Sequence, residues 1–526
     1  MQQLLNRIIP VLLIVCCLPA IAQAEEADVR IKLKIGKDTT FFTKPVTDDG
    51  IIDYVAALNQ HYGEGVKSED NAFALLALLH PEQTPETPED QVIYRDRLFK
   101  ALAIEPGKPM PSLLTKWAYA ADAGISEQDF ETMIDTALAR PWRAEVLPHV
   151  DTWLKSNRAV LDQVGVALDR PHYFAPLIRT AEDESLVGIL LPQLGHLREA
   201  SRLMVVRGMF GLSKNDVTVA LEEATRLQKF GKLVSNEPTL IGVLVGISIQ
   251  NMHRDLIQGI ADRGELPHEQ AIHYLDAYER IGTVDAINRA MNLTERSMTL
   301  DTIQRAWAGS GTNLHFFIGQ GGHGARRAAR RLELAVQSSF FDINHSLRSI
   351  NQRYDELAAI IEIADPVDRA NAHEAFHQRV SIPDGLERIS TLFRISASGE
   401  LPDGWTTQRF TDEVTGVFTL LLMANAESAL RSQRRSQTRQ LVQATAIALL
   451  GYRDRHGELP KSLDALVPTY LKQVPIDFAT GDPLVYRVEA DGTALVYSLG
   501  DNLKDDGGVD DYADGDIAIR IGVPKP

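Results

Sequence analysis

The run Leu441-Val442-Gln443-Ala444-Thr445-Ala446-Ile447-Ala448-Leu449-Leu450, continued by Gly451-Tyr452-Arg453-Asp454-Arg455-His456-Gly457-Glu458-Leu459-Pro460, reads as a helix with a hard stop. Leu441, Ala444, Ala448 and Gly451/Tyr452 keep helical spacing. Gly457 offers the left-handed conformation that closes a helix, and Pro460 forbids its continuation. Ser462 to Val467 follows as a second short helix. Leu484, Tyr486 and Val488 then alternate with Val485, Arg487 and Glu489, which is the period of a strand. Asp491-Gly492 predicts a two-residue turn, Leu495 to Tyr497 the returning strand, and Ile517, Ile519 and Ile521 a third. Pattern alone predicts one helix laid on a small antiparallel sheet.

Upstream, from about residue 51 to 440, the apolar period is helical throughout. Blocks such as Ala72 to Leu79, Leu113 to Ala123, Leu186 to Leu197 and Val205 to Leu212 are separated by short Pro, Gly or Asp breaks. Ala200 to Val234 reads as two helices around the turn Ser213-Lys214-Asn215-Asp216. Gly208, Ala220, Ala224 and Leu227 fall at offsets resembling one tetratricopeptide repeat, but the spacing does not recur. The expected body is a set of irregular stacked helical hairpins, solenoid-like, with one irregular helical globule as the alternative. Before it, Val29, Ile31, Leu33 and Ile35 alternate with Arg30, Lys32 and Lys34. That predicts a strand, with Thr39 to Thr43 returning as its partner in a short β-ribbon.

Met1 to Ala24 has the form of a secretory signal: Arg7, the apolar stretch Ile8 to Ile21, and the cleavage site Ala22-Gln23-Ala24. Cys16 and Cys17 both lie inside it, so the expected mature chain has no cysteine, which removes disulfides, thiolate zinc sites and cysteine nucleophiles. Arg7 is the one charged residue of that segment, and its loss takes the formal charge from −17 to −18. Such a balance disfavours nucleic acid and anionic membranes and favours cations. No later apolar run reaches the roughly 18 residues a membrane span needs. The expected protein is periplasmic or secreted, with a signal over residues 1–24, a helical domain with an N-terminal β-ribbon over 25–435, and an α+β domain over 436–526.

The C-terminal features, taken in order, resemble the globular domain of major pseudopilins of type II secretion. They are Tyr452-Arg453 with His456-Gly457-Glu458-Leu459-Pro460, then Val474-Pro475-Ile476-Asp477, then Gly481-Asp482-Pro483-Leu484-Val485-Tyr486, and finally Tyr497-Ser498-Leu499-Gly500 opening an aspartate loop. The resemblance covers residues 436 to 522. The long N-terminal membrane helix of that family has no counterpart here, and in Gly416-Val417-Phe418-Thr419-Leu420-Leu421 the expected glutamate is replaced by Leu422. The whole chain looks like uncharacterised exported bacterial helical proteins with a pseudopilin-like tail. The resemblance implies Ca²⁺ in the loop, held by the Leu499 carbonyl, Asn502, Asp514 and Asp516, with Asn502 standing where the family has aspartate. The loop's own composition agrees. Aspartates at 501, 505, 506, 510, 511, 514 and 516 with Gly507, Gly508 and Gly515 are hard oxygen ligands on a pliant backbone, without the alternation of an EF-hand.

Other motifs carry competing chemistry. His373-Glu374-Ala375-Phe376-His377 matches H-E-x-x-H, which on a helix sets two imidazoles on one face beside a glutamate able to polarise zinc-bound water. Its flanks are polar and no third ligand is recognisable, so the rival reading is an amphipathic helix with boundary histidines. Gly319-Gln320-Gly321-Gly322-His323-Gly324 fits G-x-G-x-x-G but lacks a βαβ setting and reads as a joint between helices. Arg326, Arg327, Arg330 and Arg331 form a basic stripe expected to pair with the chain's own carboxylates. His268-Glu269 and His273 are spaced wrongly for a zinc helix. The expected function is a non-catalytic exported interaction or scaffold protein, possessing a structural calcium loop and protein partners in the cell envelope. The alternative is a zinc metallopeptidase using His373, Glu374 and His377.

Overall fold

Asp216 accepts a hydrogen bond from Val219 N and caps the helix Val217–Val234, while its partner Gln193–Ser213 ends one tight turn earlier, with Asn215 at φ 62°. Thr239 and Asp342 cap the helices Leu240–Asn251 and Ile343–Ile361 in the same manner. The computed structural model describes residues 31–79, 88–105, 111–181, 184–189, 191–310, 312–318, 323–363, 365–380, 385–423, 426–510 and 515–522. The described residues are mainly helical, with a three-stranded antiparallel sheet near the C-terminus. The signal segment and the glycines of Gly319 to Gly322 lie outside them.

Buried side chains form two large cores. The first gathers Phe130, Trp153, Met204, Phe230 and Leu256 with Ile447, Val496 and Ile519. The second gathers Tyr54, Leu300, Leu347, Phe410 and Phe418 with Leu430. The helix Ala426–His456 passes from one to the other: Ala429 and Leu430 belong to the second core, Val442 and Ile447 to the first. It stops before Gly457, at φ 79°. The boundary placed at 435/436 therefore falls within one continuous helix.

Strands β1 (Val485–Val488), β2 (Ala494–Ser498) and β3 (Ile517–Ile521) pair in the order β1-β2-β3, with Tyr486 opposite Val496 and Val496 opposite Ile519. The β1–β2 connection corrects the expected two-residue turn. Glu489 N donates to Thr493 O, and Gly492, at φ 81°, donates to Glu489 O, so three residues make the loop. Glycine in the left-handed region closes such three-residue hairpins. One face of the sheet (Ala494, Val496, Ile517, Ile519, Ile521) joins the first core, and Leu495, Tyr497 and Ala518 face the other way. That outer face is covered by the aspartate loop. A Cβ on Gly508 would lie 2.3 Å from Leu495 Cδ2, and Tyr497 Oη donates to Asp505.

The tail is also tied to its neighbours by polar contacts. His268 Nδ1 lies 2.8 Å from Tyr470 Oη, His268 N donates to Asp454, and Gly522 N donates to Ala261 O.

The N-terminal β-ribbon is not formed by the described residues. Residues 31–35 carry no strand and pair with none among the described residues. Asn344 takes the role of the missing neighbour: its Nδ2 donates to Lys32 O (2.9 Å) and its Oδ1 accepts from Lys34 N (2.7 Å). Two turns along the same helix, Asn351 donates to Asp38 O and Thr39 O. An alternating segment needs backbone partners, and side-chain amides can supply some of them where no second strand does.

Candidate functional site

The helix Pro366–Val380 carries His373 and His377 on one side, with ring centroids 6.5 Å apart, while Phe376 is buried in the second core. Glu374 is exposed and accepts from Gln378 Nε2 at 2.8 Å. Burial holds the His373 imidazole below its ordinary pKa, which leaves the neutral form able to ligate. Among the described residues, however, no group of three or more His, Cys, Asp or Glu side chains is placed to hold a metal. The spacing thus made the pair legible, and none of the described residues joins it as a third ligand. The basic stripe is drawn toward its own chain: Arg330 pairs with Glu333, and Arg331 lies over the Phe393 ring and donates to Ser390.

The aspartate loop is a network of hydrogen bonds. Asp477, 2 % exposed, anchors its start by accepting from Ser498 Oγ, Leu499 N and Ala479 N. Asn502 Nδ2 donates to Asp506, and Asn502 Oδ1 accepts from Lys504 N. Asp505 takes Tyr497 Oη and Gly507 N. Asp516 is fully buried; its Oδ2 accepts from Gly508 N at 2.7 Å, and its Oδ1 has no hydrogen-bond partner. Burial, with Asp506 and Asp505 nearby, pushes the Asp516 carboxyl above its usual pKa. Asp514 lies outside the described residues. The loop is fastened to the helical body by Asp510 on Arg254 and Asp501 on Arg435 (3.4 Å).

Those two arginines open onto a cleft of about 560 Å³ that sequence reading did not find. Arg202, Arg254, Arg435 and Arg439 line it, with Asp255 as the one acid among the described lining residues. Leu244, Ile247 and Met252 supply apolar wall. Arg435 and Arg439 sit one turn apart in Ser432-Gln433-Arg434-Arg435-Ser436-Gln437-Thr438-Arg439-Gln440, a polar stretch of which Gln433, Ser436, Thr438 and Gln440 are also buried. The available signal was this polar run in mid-helix between apolar segments. Polarity argues for solvent by default, which hid it.

Two buried glutamates add a pH dependence. Glu237 accepts from Tyr173 Oη (2.8 Å) and Gln193 Nε2 (3.3 Å), and burial pushes its carboxyl up to about 7. Glu295 is likewise pushed up to about 7 by burial. The folded carboxyl keeps its proton between its ordinary 4.5 and about 7, where the unfolded one has lost it. Its contribution is therefore most favourable below the unfolded value and is lost as pH rises through 7. Glu237→Gln imitates the protonated form. Its stability relative to wild type should climb by about 3 kcal/mol between about pH 5 and about pH 8. Urea unfolding at both pH values checks this; a gap that does not change with pH means Glu237 is ionised throughout.

No protein family matches the chain, and no curated protein or solved structure is significantly similar to it. The class that the coordinates define is a mainly helical protein with a small antiparallel sheet packed under its last long helix. Among the described residues, no helix is long and apolar enough to cross a membrane.

Proposed function

We propose that this is an exported, non-catalytic interaction or scaffold protein of the cell envelope, with stacked helical hairpins and a pseudopilin-like tail whose aspartate loop binds a structural calcium ion. A link to secretion or envelope assembly rests on the resemblance of residues 436 to 522 to the pseudopilin domain. One observation carries the calcium reading: Asp516 buries an oxygen with no hydrogen-bond partner beside Asp505 and Asp506. A buried carboxylate oxygen with no donor is a position a divalent cation can fill; the described carboxylates alone form no metal-holding group, so Asp514, which lies outside them, would have to complete the set. By resemblance the ligands are the Leu499 carbonyl, Asn502, Asp514 and Asp516. Asn502 would exchange its bond from Lys504 N for the ion. The ion would lock the loop that covers Leu495 and Tyr497 and that reaches Arg254 and Arg435, so its role is to brace the tail for contact with protein partners.

Calcium at a hundredfold excess over its dissociation constant should stabilise the chain by about 2.7 kcal/mol. Thermal unfolding with Ca²⁺, with Mg²⁺ and with EDTA measures it, and Asp516→Asn should remove the Ca²⁺ response. An unfolding temperature indifferent to Ca²⁺ in the wild-type chain would end the calcium reading.

A further inference from the structure

The helix His323–Val336 is divided lengthwise by charge. Ala329, Leu332, Ala335 and Val336 are buried in the second core, while Arg326, Arg327, Arg330 and Arg331 are all exposed. Arg326 lies one turn from Arg330 and Arg327 one turn from Arg331, a spacing at which like charges weaken a helix. Among the described residues the stripe forms one ion pair, Arg330 with Glu333 at 3.3 Å, and Glu333 also accepts from Thr312 Oγ1. Arg327 donates to the His323 carbonyl and Arg331 to Ser390 Oγ, neither of which carries charge. Arg326 makes no hydrogen bond or ion pair among the described residues.

A surface of opposite charge stands elsewhere on the same chain. The described residues from Gly457 to Gly522 contain eleven Asp and Glu against five Lys and Arg, a net −6. Glu458, Asp464, Asp482, Asp491, Asp505 and Asp506 are exposed there and make no ion pair among the described residues. The stripe helix packs against Arg296–Ala308, Gly385–Ser398 and Thr407–Leu422, whereas the tail sheet joins the first core. No ion pair among the described residues connects stripe and tail, which leaves each to meet its opposite on another molecule. Other occupants fit the stripe less well. A chain of formal charge −17 is repelled by nucleic acid, and the apolar side of this helix, already in the core, has nothing to insert into a membrane. Arginine forks match carboxylates with paired hydrogen bonds.

We infer that the arginine face of the helix His323–Val336 is a docking surface for the exposed acids on the tail of a second copy of this chain. The two surfaces differ, so the contact is head-to-tail and can propagate from copy to copy. At about 0.15 M salt the Debye length is about 8 Å, so the like net charges of two copies are largely screened while opposite surfaces in contact still attract. The inference depends neither on calcium in the aspartate loop nor on the proposed envelope role.

Sedimentation velocity of the full-length chain tests this, in EDTA so that no divalent cation neutralises the tail. The mass should rise with protein concentration at about 0.15 M salt and return to that of the monomer at about 1 M, where the Debye length is about 3 Å. A stripe variant, Arg326→Glu with Arg327→Glu, should weaken self-association at least about a hundredfold, because like charges across an interface are costly. A tail variant, Glu458→Lys with Asp464→Lys and Asp482→Lys, should do the same even though it lessens the overall repulsion between copies. None of these three carboxylates makes a hydrogen bond or ion pair among the described residues, so the fold should be kept, and cooperative thermal unfolding checks it. The two variants mixed should form a one-to-one dimer and nothing larger, since one retains its tail and the other its stripe. A wild-type chain that is monomeric at every concentration overturns the proposal, and octaglutamate binding to such a chain reassigns the stripe to a foreign acidic protein. Association that survives about 1 M salt, a folded variant that assembles as wild type, or a mixture that stays monomeric also overturns it.

Discussion

Asp301→Ala is expected to destabilise the fold by about 3–5 kcal/mol, the cost of leaving a buried charge without its partner. Asp301 is fully buried on the helix Arg296–Ala308, and its two oxygens accept from Arg305 Nε at 3.0 and 3.1 Å. Leu186 N donates to it at 2.8 Å and Gln304 Nε2 at 3.3 Å. One carboxylate thus holds a guanidinium that is 4 % exposed, a loop amide, and the glutamine that also bonds both backbone groups of Ile52. Alanine removes all of these acceptors at once. An apolar pair of similar volume, Asp301→Leu with Arg305→Met, should recover much of the loss, because it removes the desolvation cost with the charges. Urea denaturation of the three proteins measures both effects. A single-mutant loss under about 1 kcal/mol would mean that Arg305 finds its compensation elsewhere.

Gly246→Ala should cost about 3 kcal/mol, at the upper end for overpacking. The helices Val217–Val234 and Leu240–Asn251 cross with backbone against backbone. A Cβ on Gly246 would stand 2.7 Å from Gly231 O and 2.7 Å from Ser235 N, and one on Gly231 would stand 2.4 Å from Gly246 O. Backbone atoms have no rotamer to change, so the helices must separate. Separation loosens Phe230, Val234, Val243 and Ile249, each of which is fully buried. Gly165 provides the control. It lies inside the helix Arg158–Leu168 with nothing within 4 Å of its virtual Cβ, and Gly165→Ala should stabilise by about 0.5–1 kcal/mol. If the two substitutions shift the urea midpoint alike, the close crossing is not a constraint.

Much of the architecture was legible in local pattern. Alternation placed β1, β2 and β3 to within a residue or two, Gly457 marked the end of the long helix, and Ser213 to Asp216 marked the turn of a helical pair. His373 and His377 do share one side of a helix. The candidate cleft was not legible. It assembles Arg202, Arg254, Arg435 and Arg439 from three helices, and no spacing along the chain encodes a meeting between residues 202 and 439.

The order of helices and strands and the charge pattern were determined by sequence alone, because hydrophobic period and turn chemistry act within a few residues. Tertiary structure decided what each element faces. Asn344 and Asn351 turned an expected ribbon into a docked single segment, the aspartate loop became the cover of a sheet face, and a polar stretch of helix became interior. A polar group is free to face water or a buried partner, and only the neighbours brought by the rest of the chain make the second choice favourable.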